Sequence, residues 1–524
     1  MFAALVTGAS VARNLSMGRG GAPQARSRYS FIIIMSTPHL EVHVDDGTMT
    51  RKRRIGVLLI CSMSLLIVGL DVTIVNVALP QIGRSFHSPL SGLQWTVDAY
   101  TLVLASLLML SGSTADRLGR RRTFVLGLLT FSAGSLLCSV APNLTTLIIF
   151  RMMQAVGGSM LNPVAMSIIT NTFTNPRERA QAIGVWAAVI GVSMALGPVV
   201  GGLLVSAVGW QSVFWINVPV GLVAVGLSLR YIPESKAHVA RKVDVPGQVM
   251  IIALLGSLTY GIIEAPNRGW TSPWIVGTFS VAAVSLVALL FWERRVVEPL
   301  IDLRFFRSVP FSSATVIAVM AFSSLGGFLF LNTLYLQNVK GLSAFHAGLD
   351  TLPMAAMIMV LPPVSGRIVG HRGSRIPLVI AGTAMALSSL SMVGLTTSTS
   401  FTRLFAAYIL FGIGFGFVNA PVTNAAVSGM PRAQAGVAAA IASTSRQVGA
   451  TLGVAVVGAL VAGSVTAGGA GRFTHASRQG WWALVGCALV ILVLGVVTTT
   501  PWAKVTARRT AEALNPEFLE GLTP

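Results

Sequence analysis

IGVLLICSMSLLIVGLDVTIVNVAL, residues 55–79, runs for 25 residues with a single charge, Asp71, inside it. A hydrocarbon layer of ~30 Å needs about 20 helical residues to cross it, so this run reads as a membrane span. Further runs of the same kind follow at 92–115, 123–141, 144–172, 180–206, 211–232, 247–264, 274–292, 311–336, 346–368, 376–395, 401–429, 433–464 and 481–502, joined by short loops. The composition agrees, with 53% hydrophobic residues, 10% charged residues and 53 glycines. The pattern predicts an all-α polytopic membrane protein with fourteen transmembrane helices.

The formal charge of +20 suggests a nucleic-acid binder until the charges are placed. With the N-terminus inside, alternate loops and the C-terminal tail hold twenty-five lysines and arginines, among them Arg51–Arg54, Arg117 with Arg120–Arg122, and Arg367 with Arg372 and Arg375. The opposite loops hold six: Arg84, Arg268, Lys340, Arg403, Arg472 and Arg478. That asymmetry holds both termini on the cytoplasmic side of the cell membrane and leaves the lipid bilayer, not nucleic acid, as the partner. Cys61, Cys138 and Cys487 each lie inside an apolar run, so no disulfide framework is predicted. Residues 1–50 read as a disordered cytoplasmic tail. His39 and His43 beside Asp45 and Asp46 make no convincing metal site, and no metal or cofactor is expected.

Two segments mark a duplication. GSTADRLGRRR, Gly112 to Arg122, follows span two, and GRIVGHRGSR, Gly366 to Arg375, follows span ten; both place two glycines seven residues apart and then basic residues. A six-span unit used twice leaves spans seven and eight over, flanked by the longest cytoplasmic links. The predicted organisation is an N-terminal half at 51–232, two inserted central spans within 233–310, a C-terminal half at 311–505 and a tail at 506–524.

Few ionisable residues remain inside the spans, and each costs about 2.5–3.5 kcal/mol at mid-bilayer on insertion scales. They are Asp71, Asp98, Arg151 and Arg446. Helix rise places Asp71 ~12 Å, Arg151 ~10 Å and Asp98 ~9 Å from the outer ends of their helices, so the three share a depth, with Gln154 one turn from Arg151. A carboxylate that gains and loses an arginine partner exchanges a proton, and the alternative is an ion pair that only locks helices. Asp350, near the outer end of span ten, is a possible attraction point for a cationic substrate, and Arg446 lies ~20 Å from the inner face. In span five, GVSMALGPVVGG, Gly191 to Gly202, lets a helix pack closely and bend at Pro198.

Together these segments resemble the major facilitator superfamily, and within it the fourteen-span drug:proton antiporters of the EmrB/QacA type. LDVTIVNVALP at 70–80 is similar to that group's first-span signature, and GSTADRLGRRR to the superfamily's loop motif. RMMQAVGG at 151–158 resembles the fourth-span motif, with Ala155 where glycine is usual. ALGPVVGG at 195–202 resembles the antiporter motif. WQSVFWINVPVG at 210–221 resembles the start of span six, with Gln211 for the usual arginine. The resemblance implies the major facilitator fold, two six-helix halves plus two additional central spans. It implies a cytoplasmic latch of Gly112, Asp116, Arg117, Gly119 and Arg120 that joins and releases span eleven. It further implies proton transfer between Arg151 and Asp71, and an antiporter helix shaped by Gly197, Pro198, Gly201 and Gly202.

The leading expectation is proton-coupled efflux of hydrophobic or amphipathic small molecules by alternating access, with Trp95, Trp186, Phe214, Phe328 and Phe415 as aromatics near the path. A proton-coupled importer is the first alternative and is disfavoured by the span-five motif; a non-transporting scaffold leaves the buried charges without a role. No Gly-Lys pair occurs anywhere, so the chain lacks the phosphate-cradling loop of an ATP-driven pump and reads as a secondary active transporter, not an enzyme.

Overall fold

The computed structural model describes residues 49–236, 243–296, 299–427, 435–465 and 470–514. The expectations placed on residues 1–48, on the loop charges Arg241, Lys242 and Arg432, and on residues 515–524 lie outside them.

The first six spans are built from α1 (Arg51–Phe86), α2 (Leu90–Leu118), α3 (Arg120–Ser139), α4 (Leu144–Thr172), α5 (Pro176–Ala207), α6 (Ser212–Trp215) and α7 (Asn217–Tyr231). Two further spans follow, α8 (Val245–Arg268) and α9 (Pro273–Glu293). The last six use α10 (Val309–Leu334), α11 (Ala344–Asp350), α12 (Leu352–Arg372), α13 (Arg375–Met392), α14 (Phe401–Val427), α15 (Ala435–Val465) and α16 (Ala470–Val497). The amphipathic α17 (Pro501–Leu514) ends the described chain. Fourteen of the helical stretches among the described residues are long and apolar enough to cross a membrane.

Three boundaries differ from the sequence reading. Span six is broken at Ile216 into α6 and α7, and the start of the predicted span ten is a separate short helix, α11, ending at Asp350. The supposed tail from 506 is cut from the middle of α17, whose Ala503, Ala507, Thr510 and Leu514 pack inward and whose Thr506 hydroxyl accepts from the Val309 amide at 3.0 Å. Hydropathy averages over these features, since a helix that is polar on one face or broken by one turn barely changes a window mean.

Each six-span unit packs mainly on itself: α1 on α5, α2 and α3 on α4, and in the second unit α10 on α15, α12 and α13 on α14, and α13 on α16. The α8–α9 pair rests on both units, because α8 lies against α2 and α15. Both repeated loops turn at a glycine in the left-handed region, Gly119 at φ 110° and Gly373 at φ 77°. That conformation, disfavoured for a residue with a Cβ, lets span three of each unit start immediately after span two ends.

The two units meet along three lines. On α2 and α15, the Gln94 side chain donates to the carbonyls of Val454 and Ala455, and Thr451 donates to Thr101 at 2.9 Å. From the π-helical stretch Tyr335–Val339 that continues α10, Gln337 donates to the Val77 carbonyl of α1 at 2.9 Å. On α5 and α11, the Phe345 amide donates to Ser206 at 3.2 Å. All these bonds sit toward the end of the bundle that carries the α1–α2 turn, so in this state the units are joined there.

Candidate functional site

Asp71 of α1, Arg151 of α4 and Gln154 of α4 form one cluster inside the first unit, as their shared depth predicted. One Arg151 Nη lies 2.5 Å from Asp71 Oδ2 and donates to Gln154 Oε1 at 2.7 Å. Gln154 Nε2 donates to Asp71 Oδ1 at 2.7 Å and to the Ser135 hydroxyl of α3 at 2.7 Å. Asn217, the first residue of α7, donates to Asp71 Oδ1 at 3.1 Å and to Ser135 at 3.3 Å. Arg151 Nε donates to the Thr96 carbonyl of α2, and the guanidinium lies over the Tyr100 ring, 4.2 Å from its centroid. Asp71 is 0% and Arg151 1% exposed, so both charges depend entirely on these partners.

Ser135 and Asn217 were not singled out by sequence. Serines are scattered through most of these spans, and Asn217 sits in the same segment as Gln211. Its sequence signal is a polar amide in an otherwise apolar run, at the junction of α6 and α7. Gln154, a possible substrate-region residue by sequence, gives both ends of its amide to the ion cluster. Of the aromatics proposed for the path, Phe214 lies 5.8 Å from the Arg151 guanidinium, and Phe328 and Phe415 are buried among other rings. Trp95 donates its indole N–H to Glu264 of α8 at 2.9 Å.

Asp98 shares the depth but not the cluster. Its side chain is 0% exposed and neither carboxylate oxygen has a hydrogen-bond partner. It falls between Gln94 and Thr101 at helical spacing, on the α2 stripe that meets α15.

In span five, Gly197 and Gly201 face α1, where an added Cβ at Gly197 would overlap the Thr73 side chain and one at Gly201 would lie 2.6 Å from Ile74. Gly202 faces α11, where an added Cβ would lie 2.8 Å from the Phe345 Cα. The Pro198 carbonyl approaches Gly348 so closely that no side chain fits between them. The motif thus lets α5 touch a helix of each unit.

At the α2–α3 loop, Asp116 pairs with Arg120 at 3.0 Å, one helical turn apart. Arg117 is exposed at the end of α2, and Gly112 lies 3.9 Å, measured from an added Cβ, from Pro163 of α4. Glu234, beyond α7, accepts from the Arg121 amide at 3.1 Å and lies within 4 Å of Arg121 and Arg122. Across the seam between the units, span two lies against α15, the thirteenth span. Asp350 ends α11, half-buried; burial pushes its carboxyl up from the ordinary value while His346 pulls it down. Arg446 of α15 donates to Thr423 of α14 at 3.1 Å and does not join the acidic residues.

Comparison with known proteins gives concordant matches. The profile of the Major Facilitator Superfamily covers residues 61–454. The tetracenomycin C resistance and export protein of Streptomyces glaucescens is 38% identical over 79% of this chain and 77% of its own. The multidrug resistance protein Stp of Mycobacterium tuberculosis is 35% identical over 78% of this chain and 76% of its own. Among solved structures, a bacterial homologue of the human lysosomal transporter Spinster, inward-facing and unoccupied, superimposes with a TM-score of 0.63 over 88% of this chain and 99% of its own at 18% identity. A fourteen-span bundle of two six-helix units, a family match running from α1 into α15, and relatives of this identity over most of their length make the chain a member of the major facilitator superfamily of transporters.

Proposed function

We propose that this protein exports hydrophobic or amphipathic small molecules, such as antibiotics, toxic drugs or secreted metabolites, across the cytoplasmic membrane in exchange for protons. The observation that carries the reading is the fully buried Asp71–Arg151 pair in a chain whose relatives bear the names of drug exporters. Asp71 takes up a proton when Arg151 is drawn to its other acceptors, Gln154 and the Thr96 carbonyl, and gives it up when the pair re-forms. Asp98 is the second carboxyl through which protons pass. One proton per cycle supplies about 1.4 kcal/mol per pH unit, and about 2.3 kcal/mol per 100 mV of membrane potential.

Both termini lie in the cytoplasm, as the loop charges support, and the state described here is then closed toward the outside. The α2–α3 loop acts as the cytoplasmic latch, working with the thirteenth span. Gly197, Pro198, Gly201 and Gly202 form the seal between α1, α5 and α11, and the close approach there calls for glycine at 197, 201 and 202.

The test uses everted membrane vesicles with an imposed pH gradient and a panel of lipophilic cations and uncharged antibiotics, tetracenomycin C included. Wild type dissipates the gradient on adding a transported compound, and Asp71→Asn does not. Equal dissipation by the variant overturns the role given to Asp71.

A further inference from the structure

We propose that Asp98 is a protonation-controlled clasp between the two six-helix units: the α2–α15 line closes only while this carboxyl holds its proton. The inference rests on the proton-coupled reading above and assigns the two carboxyls different tasks.

Asp71 is provided with a cation and two amide donors, so its charged form is solvated by the protein itself. Asp98 is equally buried and has none of these. Gln94 and Thr101, one turn to either side, bond across to α15, so Asp98 is clamped inside the joint and not beside it. The Gln94 Oε1 atom and, on α8, the Gln248 Oε1 atom are also buried without partners, so two further acceptors near α2 go unmatched. A negative charge added to this dry, acceptor-rich joint has no donor to meet it and must draw in water, which the packed helices admit only by parting. The neutral acid lets them meet.

The charged groups on the elements around α2 do not relieve this. Arg151 of α4 is spent on Asp71 of α1. Glu264 of α8 adds a negative charge, bound to Trp95, with Arg268 at 4.0 Å from it. On α15, Arg446 bonds to α14, and the arginines of α3 lie at its far end, by the α2–α3 loop. Closure of one end of the transporter is thereby tied to a proton held at the seam itself, while the Asp71 pair works within one unit.

Double electron–electron resonance reads the seam directly and needs no substrate, so it stands apart from the antiport assay. Spin labels go at Ser85→Cys and Gly471→Cys, both exposed at the joined end, after replacement of Cys61, Cys138 and Cys487. In lipid nanodiscs the inter-label distance should lengthen as pH rises from about 5 to about 9, through the range a buried carboxyl can reach. Asp98→Asn, a neutral isostere, should keep the short distance at every pH; Asp98→Glu should restore a pH-dependent shift, which guards against a merely misfolded variant. Asp71→Asn should retain the shift. A wild-type distance indifferent to pH, or an unaltered shift in Asp98→Asn, overturns the clasp. Absence of drug-induced proton movement with the Asp98-dependent shift intact would instead overturn the antiport reading alone.

Discussion

The two six-helix units repeat a helix plan but not its chemistry. The first and fourth spans of the N-terminal unit are joined by Asp71 and Arg151, and the first and fourth spans of the C-terminal unit by Asn332 and Tyr408, whose hydroxyl donates to the amide oxygen at 2.7 Å. Arg151 and Tyr408 are both the eighth residue of their helices, α4 and α14. Around Tyr408 the rings of Phe328, Phe411, Phe415 and Trp481 pack against one another, with Phe328 and Phe411 stacked at 4.2 Å. A charge pair can be opened by a proton; a neutral bond inside an aromatic cluster cannot. On the proposed mechanism, one unit titrates and its counterpart stays as it is while the other rocks against it.

The largest effect follows from removing half of the ion pair. Arg151→Ala leaves Asp71 buried and charged without its cation, a loss of about 3–5 kcal/mol. Substrate-driven proton movement should vanish and the melting temperature fall sharply. Asp71→Asn should also abolish proton movement, and it destabilises as well, because Arg151 is then the buried charge without its counter-ion; the loss should be smaller, since Gln154, the Thr96 carbonyl and the Tyr100 ring still hold the guanidinium. Substrate-driven proton movement that survives in Asp71→Asn would show that the pair is structural only.

Next comes the seal that joins the units. A side chain at Gly202 collides with the backbone of Ala344 and Phe345, so Gly202→Leu should disfavour the joined state by about 1–3 kcal/mol, the usual penalty of overpacking. The labelled pair at Ser85 and Gly471 should then report the open distance at low pH. Tyr408→Phe should follow, costing about 1–3 kcal/mol through the unmatched Asn332 oxygen. Its pH profile of transport should match wild type, and a displaced profile would break the contrast between units. Smaller again is Glu234→Gln: its ion pairs are partly exposed, worth about 0–1 kcal/mol, and the shift in melting temperature should disappear in high salt.

How much of this was legible from sequence depends on what each residue costs in lipid. Charges are expensive there, so Asp71 and Arg151 stood out and helix rise alone brought them to one depth. Ser135, Asn217 and the Asn332–Tyr408 bond are cheap, common residue types, and nothing but coordinates separates them from ordinary packing. Glu234 is a loop carboxylate more than a hundred residues from Arg121, a pairing no local pattern reveals. The repeated glycines were visible as spacing and prove to be the two left-handed turns, Gly119 and Gly373. The aromatic residues are read from sequence more often as packing than as path lining, and Phe328 and Phe415 do pack among other rings.

Asp350 offers the finest test, since it places a titratable group in the unit described here as inert. Burial raises its carboxyl and His346 partly opposes this. A raised value in the folded protein means its contribution to stability is complete below the ordinary carboxylate range and lost as pH rises through the raised value. Wild type should therefore lose a little melting temperature across that window and Asp350→Asn should not. Ionisation over the same window would also give α11 a negative charge able to attract a cation. Transport of a lipophilic cation should then show a falling KM as pH rises in wild type and a flat one in Asp350→Asn, with uncharged substrates indifferent to both. If the variant instead shifts the pH profile for every substrate alike, proton handling is shared between the units and the division of labour drawn from Asp71 and Tyr408 fails.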